Sequence, residues 1–268
     1  MLWDAQGGSV QLGDGQMQYV RFGHGEKVLA ILPGLSDGLA TVKGKALLLA
    51  PPYERFFNQF TVYMFSRRDN LERGCTIRGM AADQAEALRA LGIKRASVMG
   101  VSQGGMVAQA LAIDHPELVE KLVLAVTTAC PSQMTRDCVS AWMEMARRGD
   151  HKALMIDTAE RSYSHEKLVG YRKLYPVIGM VGKPKTYERF LANAEAILGF
   201  DALDELDRIV CPTLILAGSD DRIVGVQASE ELHARIARSE LFVYAGLGHA
   251  AYEEAPDFNG RLLDFLVD

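Results

Sequence analysis

Gly100-Val101-Ser102-Gln103-Gly104 sets a hydroxyl nucleophile between two glycines, where an apolar run (96–100) gives way to a helix-like stretch (103–115). A G-x-S-x-G in that strand-to-helix context forces the serine into strained backbone angles and lifts its Oγ above the sheet edge. The flanking positions must lack bulky side chains. The helix N-terminus behind the serine offers free N–H groups and partial positive charge to a developing anion. With 12 serines and 25 glycines in 268 residues, random flanking gives roughly 0.1 such matches, so chance is a poor account of it.

A serine hydroxyl is a weak nucleophile near neutral pH and needs an oriented base, usually histidine. Six histidines are available. His24, His115, His151, His165 and His233 read as solvated or helix-end residues. His249 differs, because Gly246-Leu247-Gly248-His249 follows the last strand-like run and so falls at the sheet edge of Ser102. The base in turn needs an acid to hold its tautomer and stabilise the imidazolium. The segment Gly218-Ser219-Asp220-Asp221-Arg222-Ile223-Val224 follows the preceding strand-like run at the same edge. Its G-x-x-D-x-x-V form selects Asp221 and leaves Asp220 as a turn or solvated residue.

The elements that must carry these groups are legible from periodicity. Residues 10–22 read as a β-hairpin turning at Gly13-Asp14-Gly15. Short continuous apolar runs at 27–32, 60–65, 96–100, 121–126, 213–217 and 241–244 predict strands buried on both faces. Amphipathic stretches at 80–91, 103–115, 227–237 and 256–267 predict helices between and after them. Strand–helix alternation of this kind predicts a doubly wound, mostly parallel α/β sheet with helices on both faces. The alternation breaks once. Residues 140–148, 152–162, 164–175 and 185–198 are helical in pattern, with no buried strand among them. The expected organisation is a core of 1–130 and 206–268 with a helical cap inserted at 131–205.

The chain order Ser102, Asp221, His249 is the order found in α/β-hydrolases. On the elbow, the Gly-x-x-Asp loop, the terminal Gly-His and the helix after it, the sequence resembles that family over nearly its whole length. The resemblance implies a Ser-His-Asp triad and an oxyanion hole built from the backbone N–H groups of Leu35 and Gln103. The chain departs from the family in three places. The family's His-Gly-x segment is here Leu32-Pro33-Gly34-Leu35, so proline removes a side chain that often supports the loop. The family's Asp-x-x-Gly-x-Gly-x-Ser loop after the next strand is replaced by residues 66–76, beginning Ser66-Arg67-Arg68. The apolar run 46–53 reads either as a helix packing on the sheet or as the wall of an acyl pocket.

Composition narrows the partners. Lys and Arg number 29 against 34 Asp and Glu, a formal net charge of −5, and the cations are scattered, so no basic footprint for nucleic acid exists. No apolar stretch approaches the ~18 residues of a membrane span. The N-terminus lacks the basic and apolar regions of a signal peptide. Cys75, Cys130, Cys138 and Cys211 show no zinc or C-x-x-C spacing and read as reduced thiols of a cytoplasmic protein. No nucleotide-binding motif is present, so neither cofactor nor metal is expected. The insertion is rich in Trp, Met and Tyr, which suits a small-molecule acyl substrate but names none.

The leading expectation is a serine hydrolase of carboxylic esters or related acyl compounds. Within the resemblance the same triad also serves C–C bond hydrolases, aminopeptidases, acyltransferases, thioesterases and cofactor-free haloperoxidases. Serine at the elbow argues against haloalkane dehalogenases and epoxide hydrolases, which carry aspartate there. A non-catalytic ligand-binding protein on the same scaffold is the expectation from a different class.

Overall fold

The computed structural model describes residues 2–268. Its centre is one eight-stranded sheet in the order β1-β2-β4-β3-β5-β6-β7-β8. The strands are β1 (Gln6–Leu12), β2 (Gly15–Phe22), β3 (Lys27–Leu32), β4 (Phe60–Arg68), β5 (Ala96–Val101), β6 (Val119–Ala125), β7 (Thr213–Gly218) and β8 (Ser239–Tyr244). β1 pairs with β2, and β2 with β4, antiparallel; from β4 through β3, β5, β6 and β7 to β8 every pair is parallel. The order reverses between β3 and β5, and in open α/β sheets the crevice beyond the strand ends at such a reversal is where ligands bind.

Helices α1 (Ala46–Leu49), α2 (Ile77–Ala90), α3 (Gln103–Asp114), α8 (Val226–Arg235), α9 (Ala251–Glu254) and α10 (Phe258–Val267) belong to the sheet's layers. Helices α4 (Gln133–Arg147), α5 (His151–Ser162), α6 (His165–Tyr171) and α7 (Glu188–Leu198) fill the interval between β6 and β7. Alternate residues of the central strands feed two separate cores, as a pleated strand requires. Ala30, Leu32, Val98 and Leu124 join Leu88 and Leu111 on one face. Leu29, Ile31, Met99 and Val123 join Phe56, Phe258 and Leu262 on the other. Each such buried aliphatic or aromatic side chain contributes about 1.5–3 kcal/mol. That double burial explains why β5 and β7, with all six residues buried, read as unbroken apolar runs.

Three predicted helices change shape. The stretch 256–267 starts its helix two residues late, at Phe258; a separate short helix, α9, ends before Pro256, which biases Ala255 to an extended backbone (φ −73°, ψ 118°). The stretch 140–148 extends back to Gln133, where the Ser132 hydroxyl caps the Thr135 N–H. The stretch 164–175 tightens into a 3₁₀ turn after Tyr171. His151 is a helix-end residue, the first of α5, and is buried rather than solvated, with Nε2 2.8 Å from the Val181 carbonyl.

Candidate active site

Ser102 sits between the last residue of β5 and the first of α3, at φ 54° and ψ −120°. Non-glycine residues rarely adopt that backbone, and the surroundings hold it there. Its N–H donates to the Ala125 carbonyl (2.9 Å), and its own carbonyl accepts from Thr127 Oγ1 (2.7 Å) and the Gly105 N–H (2.8 Å). The glycines of the motif are required by close approach. A Cβ on Gly104 would stand 1.9 Å from the Leu32 carbonyl oxygen, and one on Gly100 would stand 2.3 Å from the Gly104 carbonyl oxygen.

The ends of β7 and β8 present the other two groups. Their loops are knitted by Ser219 N–H to Tyr244 O (3.0 Å), Asp220 N–H to Leu247 O (2.9 Å) and Gly246 N–H to Ser219 Oγ (2.8 Å). Asp221 Oδ1 accepts the N–H groups of Ile223 (2.8 Å) and Val224 (3.0 Å), which leaves Oδ2 facing His249 Nδ1 at 2.7 Å. His249 Nε2 lies 2.9 Å from Ser102 Oγ. A carboxylate beside Nδ1 selects the tautomer protonated there, so Nε2 is free to accept the serine proton. Asp221 and His249 are only 7% and 8% exposed, while Ser102 is half-buried and reachable. Burial works to raise the Asp221 carboxyl, but the adjacent His249, its hydrogen bond and the two backbone donors prevail and hold it below the usual carboxylate range. Asp220 is exposed, and its carboxylate accepts from its neighbour Ser219 Oγ (2.7 Å) rather than from His249.

Gln103 and Leu35 are the first residues of α3 and of a 3₁₀ turn (Leu35–Gly38), so their N–H groups have no partner within those helices. Gly34 joins the two sites. A Cβ there would lie 3.3 Å from Ser102 Cβ and 3.8 Å from its Oγ. Gly34 also lines a cavity of about 540 Å³ whose walls include Leu48, Leu49, Tyr53, Met99 and Tyr252. The apolar run 46–53 therefore supplies a wall, and the cavity lining comes from the sheet layers rather than from α4–α7. Among the described residues, no group of three or more His, Cys, Asp or Glu is arranged to hold a metal ion, and no helix is long and apolar enough to cross a membrane.

Sequence reasoning missed the polar cluster of buried Asp37 and Arg67 with half-buried Arg189 beside the Pro33-Gly34 loop. The one available signal was Ser66-Arg67 closing an otherwise apolar strand, where a solvated face is the default reading.

An eight-stranded, mostly parallel sheet carrying a serine elbow, with Asp and His loops at the following strand ends, defines an α/β-hydrolase. The sequence model for the alpha/beta hydrolase fold matches residues 50–256, and the chain belongs to that family. It is 27% identical over 253 residues to a Caulobacter sp. protein named "Putative carbamate hydrolase RutD", covering 87% of this chain and 89% of that one. It is 30% identical over 187 residues to a 2-hydroxy-6-oxononadienedioate/2-hydroxy-6-oxononatrienedioate hydrolase of Pseudomonas sp., covering 66% and 65%. Among solved structures, MGS-M2, an alpha/beta hydrolase enzyme from a Medee basin deep-sea metagenome library, superposes with a TM-score of 0.84. That pair is 22% identical and the match covers 97% and 98% of the two chains, so it speaks to the fold alone.

Proposed function

We propose that this hydrolase cleaves carboxylic esters, or related small acyl compounds, through an acyl-enzyme on Ser102. The observation that carries the reading is the unbroken line Asp221 Oδ2, His249 Nδ1, His249 Nε2, Ser102 Oγ, at 2.7 and 2.9 Å, ending beside a cavity that Gly34 leaves open. His249 Nε2 takes the Ser102 proton as Oγ bonds to the carbonyl carbon. The carbonyl electrons move onto oxygen, where the N–H groups of Leu35 and Gln103 hold the charge. As the tetrahedral adduct collapses, the bond to the leaving oxygen breaks and His249 returns its proton to that oxygen. Water then attacks the acyl-enzyme, gives a proton to His249, and the acid leaves as Ser102 is reprotonated.

An apolar acyl or alkyl group fits the mostly apolar cavity walls. We further infer that residues 131–205 act as a lid over this site. Two contacts support that: the Ser162 carbonyl accepts the Ala250 N–H beside His249 (2.9 Å), and the Asn193 carbonyl accepts Gln103 Nε2 (2.7 Å). A carbamate carbonyl presents the same target to Ser102, and the relative named for that activity makes carbamates the second substrate class to test.

The test is intact-mass labelling with a fluorophosphonate, wild type against Ser102→Ala, followed by esters of increasing acyl length and a carbamate. One adduct lost in the variant, with ester turnover lost alongside, is the expected result. A folded wild type that neither labels nor turns over any substrate would leave a non-catalytic ligand-binding protein as the better reading.

A further inference from the structure

The Pro33-Gly34-Leu35 loop lacks the histidine that its family often uses for support, yet its peptide planes are fixed from two sides. Arg67 is 3% exposed and its Nη2 donates to the Pro33 carbonyl (2.8 Å). The Asp37 N–H donates to the Gly34 carbonyl (3.2 Å). Since a trans peptide sends its N–H opposite to its C=O, that bond fixes the direction in which the Leu35 N–H points.

Asp37 itself is 2% exposed and anchored by side-chain contacts. Its Oδ2 accepts the Arg67 backbone N–H (2.9 Å) and Arg189 Nη2 (2.6 Å). Arg189 also donates to the carbonyls of Asp37 (3.2 Å), Arg67 (2.8 Å) and Arg68, so a single guanidinium bridges the loop to the end of β4. A planar fork of donors suits that task; an ammonium has three donors on a single nitrogen and cannot span the same set of acceptors. Arg189 lies on α7, and one turn later the same helix holds Gln103 through the Asn193 carbonyl (2.7 Å). Between them, Phe190 packs so closely on the loop that a Cβ on Gly38 would stand 2.8 Å from its Cα. Both expected oxyanion donors are thus braced by one helix of the insertion.

The cluster is an expensive way to gain stability alone. Burial pushes the Arg67 guanidinium down to about 10 despite Asp37 beside it, and buried ion pairs seldom outperform apolar packing of the same volume.

We propose that Arg189 is the positioning residue of the oxyanion hole, acting through Asp37 and Arg67 to aim the Leu35 N–H at the site beside Ser102. This rests on the reading of Leu35 and Gln103 as the oxyanion donors. It makes turnover depend on the seating of α7, and hence of the whole insertion, on the sheet edge.

The experiment compares wild type, Arg189→Leu and Arg189→Lys in p-nitrophenyl butyrate hydrolysis, in inhibition by phenylboronic acid, and in Tm. The boronate adduct on Ser102 is tetrahedral and draws on the hole, whereas substrate binding does not. For Arg189→Leu the expected result is a fall in kcat of about 10–100-fold, less than outright loss of a donor, with KM held within about threefold. The inhibition constant for phenylboronic acid rises by a similar factor. Arg189→Lys, which can reach only some of the acceptors, is expected between the two. A Tm loss with kcat and boronate affinity unchanged would overturn the proposal. If Arg189→Leu does not fold, wild-type kcat and boronate affinity in folded Arg189→Lys would overturn it equally. Failure here is distinct from failure of the hydrolase reading, which would show as a wild type with no turnover.

Discussion

The carbonyl of Ser162, the last residue of α5, accepts the N–H of Ala250 at 2.9 Å, one residue beyond His249. The approach leaves no space at Gly248, where a Cβ would stand 2.5 Å from that same Ser162 oxygen. Gly248→Ala must therefore push the His249 loop and α5 apart. Because a shift near 1 Å at a catalytic group costs on the order of 10²-fold in rate, kcat is expected to fall by about that factor. The overpacking itself costs about 1–3 kcal/mol, read as a lower Tm. Wild-type turnover in a folded Gly248→Ala protein would mean that the insertion does not fix the histidine.

Ser102 carries a backbone strain that stability does not require and that the proposed nucleophile role explains. At φ 54° and ψ −120° an L-residue is held at a cost of about 1–3 kcal/mol, which glycine largely escapes. Against that, glycine costs about 0.4–1 kcal/mol through the freer unfolded chain. Ser102→Gly is expected to be inactive yet more stable than Ser102→Ala by about 1 kcal/mol. Denaturant unfolding of the two inactive variants measures the difference directly, and equal midpoints would show that the elbow is not strained.

The cavity beside Gly34 makes a claim about substrate size. Leu49 is half-buried on its wall, close to where α1 ends. Leu49→Trp should shorten the accepted acyl chain, lowering kcat/KM for p-nitrophenyl octanoate by about 10-fold or more while sparing the acetate, since a few methylenes denied burial cost about 0.8 kcal/mol each. Equal losses on both esters would place the acyl group elsewhere.

What was legible in the sequence follows from how local each signal is. Ser102 and Asp221 each follow a strand whose burial on both faces makes it an apolar run, and His249 follows the partly exposed edge strand β8, whose 241–244 run is still apolar, so their shared edge could be inferred before any contact was known. The hairpin was legible because Gly13 must take φ 56°. Asp37, Arg67 and Arg189 left no such trace. They meet across 30 and 152 residues, and a charged side chain in isolation reads as solvated. The burial of His151 at its helix end left no trace for the same reason, since its partner at Val181 lies beyond its own helix.

Asp221 sets both a tautomer and a pH dependence. Asp221→Asn keeps the shape but can present an amide N–H to His249 Nδ1, which favours the ring form protonated at Nε2, and that nitrogen can no longer take the Ser102 proton. Turnover is expected to fall by about 10⁴-fold with KM little changed. For stability the sign follows from the direction of the shift. The folded carboxyl is held below its ordinary value: burial opposes this, but His249 and the two backbone donors prevail. Its ionised form therefore stabilises the fold above pH of about 4, the ordinary carboxylate value, and that contribution is lost as pH falls through the lowered folded value. The Tm advantage of wild type over Asp221→Asn should accordingly be largest near neutrality and shrink as pH drops below about 4. Thermal scans of both proteins between pH 3 and 7 measure it. A gap that widens toward acid would reverse the sign of the linkage and mean that Asp221 is not held as the carboxylate.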